Sequence, residues 1–295
     1  MWTFTALFAE VASKHLGALT LNVWRMIISI VLLGLTLWLF CGSPLPRHVP
    51  LTAWCWLLGS GFMGFVFGDY CLFNSYLIIG SRFGQLFMTL ASPFAAVTAW
   101  LLLGEHMTAL SLLGMLTTLL GIGISILGKD DGGHRRVKLP LRGVLLGIGA
   151  GMGQGVGLVF SKLGLQAYEA AIPPGADDVE MMMPFAGTMI RAIMGLIGFG
   201  AALLYTRQLG TMPRMWHDRR GALAAMGAIL LGPFLGVSLS LLAVDLTHAG
   251  VAQTLMGLTP VFILWPAHLM FGTRVTWKEV LGAVIAVIGA SLFFL

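Results

Sequence analysis

What most constrains this chain is the length of its uncharged apolar runs. Met26–Cys41, Phe83–Gly104, Met107–Gly128, Val144–Ser161 and Val275–Leu295 carry no charge or nearly none. A helix needs about 20 such residues to cross hydrocarbon. Of 295 residues, 58% are hydrophobic and only 10% charged, whereas a soluble domain carries roughly 25% charged residues. So few charges cannot clothe a water-facing surface. The expected fold class is all-α integral membrane, with the bilayer as solvent.

Hydropathy and breaker residues divide the chain into ten transmembrane helices near 1–16, 20–41, 52–79, 83–104, 108–127, 143–167, 182–206, 221–247, 250–271 and 276–295. The breaks fall at Pro44 to Pro50, Lys129 to Pro140, Pro173 to Glu180 and Arg207 to Arg220. The first helix is short for a span, because Met1-Trp2-Thr3-Phe4 already reads as the middle of an apolar helix. No positive region precedes it and Glu10 interrupts it, so it does not read as a signal peptide. We therefore expect a start roughly 8–10 residues further upstream; a native N-terminal peptide beginning at Met1 in mass spectrometry would refute that.

The formal charge of +5 does not point to nucleic acid, because the basic residues sit in short loops between apolar segments. Cys41, Cys55 and Cys71 are odd in number and match no metal or redox spacing, so they read as packing residues. The seven histidines are scattered without the spacing or carboxylates that hold zinc. No metal, cofactor or ATP-binding loop is expected. Nor do nucleophile, base and metal ligands converge at one depth, as a membrane-embedded enzyme would need.

The chain repeats itself. A shift of 168 positions lays Gly64 on Gly232, Gly68 on Gly236, Gln85 on Gln253, Phe94 on Phe262, Gly104 on Gly272, Thr108 on Thr276, Gly114 on Gly282 and Gly121 on Gly289. With a two-residue change in loop length, Trp24-Arg25-Met26-Ile27 falls on Ile190-Arg191-Ala192-Ile193. The expected organisation is a first five-helix repeat over 1–127, a basic linker over 128–142 and a second repeat over 143–295. Five crossings is an odd number, so the second copy enters the membrane from the opposite side and the repeats are inverted. Inverted repeats suit alternating access, since exchanging the conformations of the halves turns an outward-open state into an inward-open one.

These residues carry a resemblance. Arg25 early in the second helix is followed by Gly59-x-x-x-x-Gly64-x-x-x-Gly68 with Asn74 in the third. Gln85 to Pro93 then leads to Leu102-Leu103-Gly104-Glu105 in the fourth, and Gly114 to Gly121 lies in the fifth. The whole resembles the ten-helix, EamA-type branch of the drug/metabolite transporter (DMT) superfamily. The second half departs from it at Gly272-Thr273, where the family's Gly-Glu is usual. The resemblance implies a basket of helices around a central cavity, with the third, fourth, eighth and ninth helices prominent in its wall.

Candidate residues for the transport path follow from position and chemistry. Ser92-Pro93 and Thr259-Pro260 lie near the centres of the fourth and ninth helices, where each proline removes a backbone donor and frees a carbonyl. Those carbonyls either meet a ligand or are satisfied by the adjacent hydroxyl. Gln154 lies halfway along the sixth helix, and the repeat alignment sets Trp2 at the matching depth of the first. A buried amide must be paired, so Gln154 either bonds a neighbouring helix or lines a wet cavity; Trp2 is either lipid-facing packing or an apolar wall. Arg25 and Arg191 sit ~7–10 Å inside their helices and either grip a carboxylate or phosphate or pin a helix to the interface.

The same alignment pairs Glu10 with Lys162, candidates for proton or ion coupling; the alternatives are a capping role for Glu10 and snorkelling for Lys162. Gln85, Gln253, Asp69, Tyr70, Asn74 and Asp245 read as helix-contact or interface-anchoring groups. The glycine stripe Gly143, Gly147, Gly151 and Gly155, with Gly149 and Gly153, lies inside an apolar span and means close helix packing, not phosphate binding.

Thirteen Lys and Arg residues fall on the side carrying Lys129 to Arg142, Arg207 to Arg220 and Arg274 to Lys278, against Arg47 alone on the other. The positive-inside rule makes the first side cytoplasmic and puts both termini outside; the resemblance implies the reverse. The expected function is a secondary carrier of a small metabolite, an amino acid or related compound moved outward across the inner membrane. The other readings are a nucleotide-sugar or lipophilic-drug carrier, a channel, or a membrane enzyme. Expected partners are the small-molecule substrate and membrane lipid, with no nucleic acid, in a monomer or homodimer.

Overall fold

The computed structural model of the chain describes residues 1–104, 108–127, 139–246, 258–272 and 275–292. Helices α1 (Trp2–Leu16) and α2 (Ala18–Cys41) meet at Gly17, whose φ of 87° is open to glycine because it has no Cβ to clash. Helix α3 (Leu51–Gly61) passes without interruption into a π-helical segment, Phe62–Asp69, and then into α4 (Tyr70–Phe87). A 3-10 turn at Met88–Leu90 leads to α5 (Ala91–Leu103). Next come α6 (Ala109–Leu127), α7 (Leu141–Glu169) and α8 (Asp177–Tyr205). Beyond the short α9 (Arg214–His217), α10 (Arg219–Ile229) runs through a second π-helical segment, Leu230–Phe234, into α11 (Leu235–Leu246). The remaining described helices are α12 (Thr259–Phe262), α13 (Leu264–Phe271) and α14 (Trp277–Ser291), and no strand occurs among the described residues.

Five of these helical runs are long and apolar enough to cross a membrane: Ala18–Cys41, Leu51–Leu102, Leu141–Glu169, Asp177–Tyr205 and Arg219–Leu242. Leu112–Ser125 and Thr259–Phe271 are shorter apolar helices. The 52 residues of Leu51–Leu102 would far exceed a hydrocarbon core of ~30 Å if straight. Gly80 breaks the run, with φ 81° and ψ 161° inside otherwise helical chain. That break falls where a boundary between the expected third and fourth helices was placed. The outward faces carry exposed Leu35, Trp38, Leu39, Leu120, Ile197 and Leu204, an apolar coat that suits lipid and not water.

The two halves interlock. Helix α2 packs on α8, and α6 packs on α14, each joining positions the repeat makes equivalent. Helix α1 of the first half lies against α10 of the second, while α7 of the second lies against α3 of the first. The α6–α14 contact is backbone to backbone: a Cβ on Gly282 would sit 2.5 Å from the Ser125 nitrogen and 2.6 Å from the Gly121 oxygen. On Gly289 it would meet Thr118 Oγ1 at 2.6 Å and the Gly114 oxygen at 2.8 Å. All four glycines are ones the 168-residue shift matches. The same shift carries Phe62, where the first π segment begins, onto Leu230, where the second begins.

Several expectations fall outside the described residues: Glu105, Gln253, Thr273 and Arg274, and with them most of the linker and the start of the ninth helix. The described part of that ninth helix is split at Ile263 into α12 and α13.

Candidate functional site

Helix α7 brings Gln154 to the middle of the protein because glycines on both of its flanks let neighbours approach. A Cβ on Gly153 would lie 2.6 Å from the Met63 oxygen and 2.7 Å from the Gly68 Cα, within the first π segment. A Cβ on Gly151 would lie 2.8 Å from the Phe87 oxygen. Between these flanks the Gln154 amide donates through Nε2 to the Gly64 carbonyl at 3.0 Å and to Asp69 Oδ1 at 3.1 Å. The π segment widens the helix at this point and turns Asp69 inward, a placement in which such segments recur at functional sites.

Asp69 is 5% exposed and Arg25 3% exposed. Arg25 Nη1 donates to Asp69 Oδ2 at 3.0 Å and to Asn22 Oδ1 at 2.6 Å, and the guanidinium stacks over the Phe73 ring at 4.5 Å. Buried charges persist when they are paired and hydrogen-bonded, and here each is both. Arg25 is therefore already held by a carboxylate of its own chain.

Arg191 differs. It is 5% exposed, its guanidinium lies over the Phe65 ring at 5.0 Å, and its Nε, like that of Arg25, has no hydrogen-bond partner. Among the described residues no carboxylate forms an ion pair with it. Its Nη2 fits because position 64 is glycine: a Cβ there would stand 2.9 Å away.

These groups border a cavity of about 180 Å³. Its polar lining includes Arg25, Asp69, Gln85, Ser92, Gln154, Arg191, Ser240 and Thr259; its apolar lining includes Trp2, Phe65, Leu72, Leu158, Val237, Leu241 and Pro260. Trp2 donates through Nε1 to Ser240 Oγ at 3.3 Å, and its ring end is 3.6 Å from where a Cβ on Gly236 would sit. Gln154 Nε2 stands 3.3 Å from the corresponding point on Gly68, so Trp2 and Gln154 occupy matching places against repeat-equivalent glycines. Gln85 donates to the Tyr76 hydroxyl at 2.5 Å.

Of the residues singled out in the sequence, Trp2, Arg25, Ser92, Gln154, Arg191, Thr259 and Pro260 come together in this wall; Pro93 is not part of it. Glu10 and Lys162 are also elsewhere. Glu10 accepts the Ser81 backbone N–H at 2.6 Å and pairs with Lys14 at 2.5 Å, capping the helix that restarts after Gly80, as a carboxylate does at a helix start. Lys162 is exposed on α7. Asp69, which reads from the sequence as a helix-contact or anchoring group, does join helices through Arg25 and Gln154, and it is also the carboxylate of the cavity wall among the described residues. An acid within an apolar span was the signal that marked it.

These features define a multi-pass helical membrane protein with a largely apolar cavity between its two halves, its wall set with a few polar and charged groups. The EamA-like transporter family matches residues 1–127 and 141–295, and the protein belongs to that family, within the drug/metabolite transporter superfamily. No curated protein matches the sequence. A crystal structure of another protein superposes with a TM-score of 0.60 at 17% identity, covering 98% of this chain and 93% of that one. That likeness speaks to the fold alone.

Proposed function

We propose that the protein is a secondary transporter of the inner membrane, with ten crossings arranged as two inverted five-helix repeats, which moves a small metabolite by alternating access. The observation that carries this reading is the cavity itself: matching positions of the two halves, Trp2 with Gln154 and Arg25 with Arg191, all face it. A site built from both members of an inverted repeat stays fixed while the halves exchange conformations around it. The excess of Lys and Arg in the basic loops supports a cytoplasmic position for their side. The cargo is of the size of an amino acid or a related compound, and is carried outward. A cavity of about 180 Å³ supports this size class over a nucleotide sugar, since a cavity of roughly 150 Å³ takes only a benzene-sized molecule. A channel would show no saturable exchange, and an enzyme would need a reacting constellation that does not occur among the described residues.

The test is counterflow in proteoliposomes, loaded with unlabelled amino acids or their deaminated analogues and offered trace label outside. Saturable exchange, absent from empty vesicles and weakened by Gln154→Ala, is the expected result. Flux that rises linearly with concentration, or none in protein shown to be folded, overturns the carrier reading.

A further inference from the structure

The two halves are not chemically equal at the cavity. Under the 168-residue shift Asp69 falls on Val237, while Arg25 and Arg191, matched once the two-residue change in loop length is allowed, keep an arginine in both halves. Arg25 has its counter-ion, held at 3.0 Å. Val237 stands where Arg191 would find the equivalent one, and it packs in the same apolar cluster as Phe65, the ring beneath the Arg191 guanidinium. Arg191 thus has a ring beneath it and no ion-paired carboxylate among the described residues. The charged groups lining the cavity among the described residues are Arg25, Asp69 and Arg191, which leaves one positive charge uncompensated.

A buried cation left unpaired is costly, and the cost is removed when a ligand brings the missing anion. The guanidinium fork suits a carboxylate. An ammonium, by contrast, would have to share Asp69, the cavity's one carboxylate among the described residues, whose Oδ2 already accepts from Arg25 and whose Oδ1 accepts from Gln154. The rest of the wall, Trp2, Phe65, Leu72, Leu158 and Leu241, offers a largely apolar chamber. Its volume admits a ring and a short chain.

Resting on the transporter reading above, we propose that the cargo is a small organic monoanion, a monocarboxylate with an apolar body, and that Arg191 is its anchor. The carboxylate takes the place that Asp69 fills in the first half. Zwitterionic amino acids and lipophilic cations are poorer ligands, because their ammonium brings positive charge to a cavity that already has an excess.

Four compounds of one skeleton test this: 3-phenylpropionate, phenylalanine, phenethylamine and 3-phenylpropanol, measured by equilibrium binding to the purified full-length protein at pH 7. The expected order puts 3-phenylpropionate first by tenfold or more. Arg191→Gln should weaken it roughly 10- to 100-fold, the range for hydrogen bonds to a charged group, and bring it level with the alcohol. Arg191→Lys should restore part of the difference. Circular dichroism and size-exclusion profiles check that each variant is folded. Phenylalanine binding as tightly as 3-phenylpropionate, anion binding that survives Arg191→Gln in full, or no binding of the anion by folded wild-type protein would each overturn the proposal. Counterflow separates the two readings: selective anion binding without exchange sinks the carrier reading and keeps the anchor, whereas saturable exchange indifferent to Arg191→Gln does the opposite.

Discussion

The first half of the molecule completes its own electrostatics and the second half does not. Arg25 and Arg191 are repeat-equivalent, equally buried and each stacked on a phenylalanine ring. Asp69 closes an ion pair in one half, and Val237 leaves the other open. A single side chain thus separates an arginine that holds the fold together from one that can receive a ligand. The difference teaches that a duplicated scaffold supplies geometry twice, while chemistry is assigned to one copy.

The largest expected effect comes from breaking the closed half. Asp69→Asn leaves Arg25 buried without a counter-ion and should cost about 3–5 kcal/mol of stability, read as a fall in thermal midpoint in detergent. Combining Asp69→Asn with Arg25→Met should recover much of that loss, because removing both charges is far cheaper than stranding one. A smaller effect, about 1–3 kcal/mol of overpacking, is expected from Gly282→Ala, whose new methyl would press on the backbone of α6.

Gly64→Ala sharpens the comparison in the other direction. Its Cβ would press on the far end of Arg191, at 2.9 Å, and make an ordinary contact with Gln154 Oε1 at 3.9 Å, and a flexible tip can move. The midpoint should stay near that of the wild type while binding of 3-phenylpropionate falls several-fold. A large loss of stability would show that the guanidinium is a structural post after all.

The smallest effect lies outside the membrane. The Asp218 carboxylate is held below its ordinary value first by the Gly221 backbone N–H and then by the His15 ring at 2.7 Å. A carboxylate lowered in the folded state stabilises above its unfolded value, and the benefit is lost as pH falls through the folded one. Asp218→Asn should therefore lower the midpoint slightly at neutral pH, with the gap to wild type closing in the acid range below the ordinary carboxylate value. A gap that persists at strongly acid pH would contradict this account.

Much of the architecture was legible in the sequence, since the apolar runs and the constant shift are one-dimensional signals. The shift aligned the glycines that bring α6 and α14 into contact, and an alignment of the first helix with the sixth pairs Trp2 with Gln154, which the structure sets against Gly236 and Gly68. What could not be read was who meets whom across helices. The Arg25–Asp69 pair joins residues on different helices and depends on a π segment that turns Asp69 inward. The capping of Ser81 by Glu10 depends on the unusual backbone of Gly80, so the sequence alone leaves Glu10 open between a coupling role and a cap. The repeat alignment already held Val237 against Asp69, but its meaning required knowing that Asp69 was engaged.

The most direct measurement gives the second half what the first half has. Val237→Asp, with Val237→Asn as a neutral control of similar shape, should be tested for binding of 3-phenylpropionate in folded protein. The account predicts that Val237→Asp weakens binding roughly tenfold or more, as the new carboxylate claims Arg191, while Val237→Asn stays within a few-fold of wild type. Equal binding by Val237→Asp and wild type would contradict the claim that an open arginine in the second half anchors the cargo.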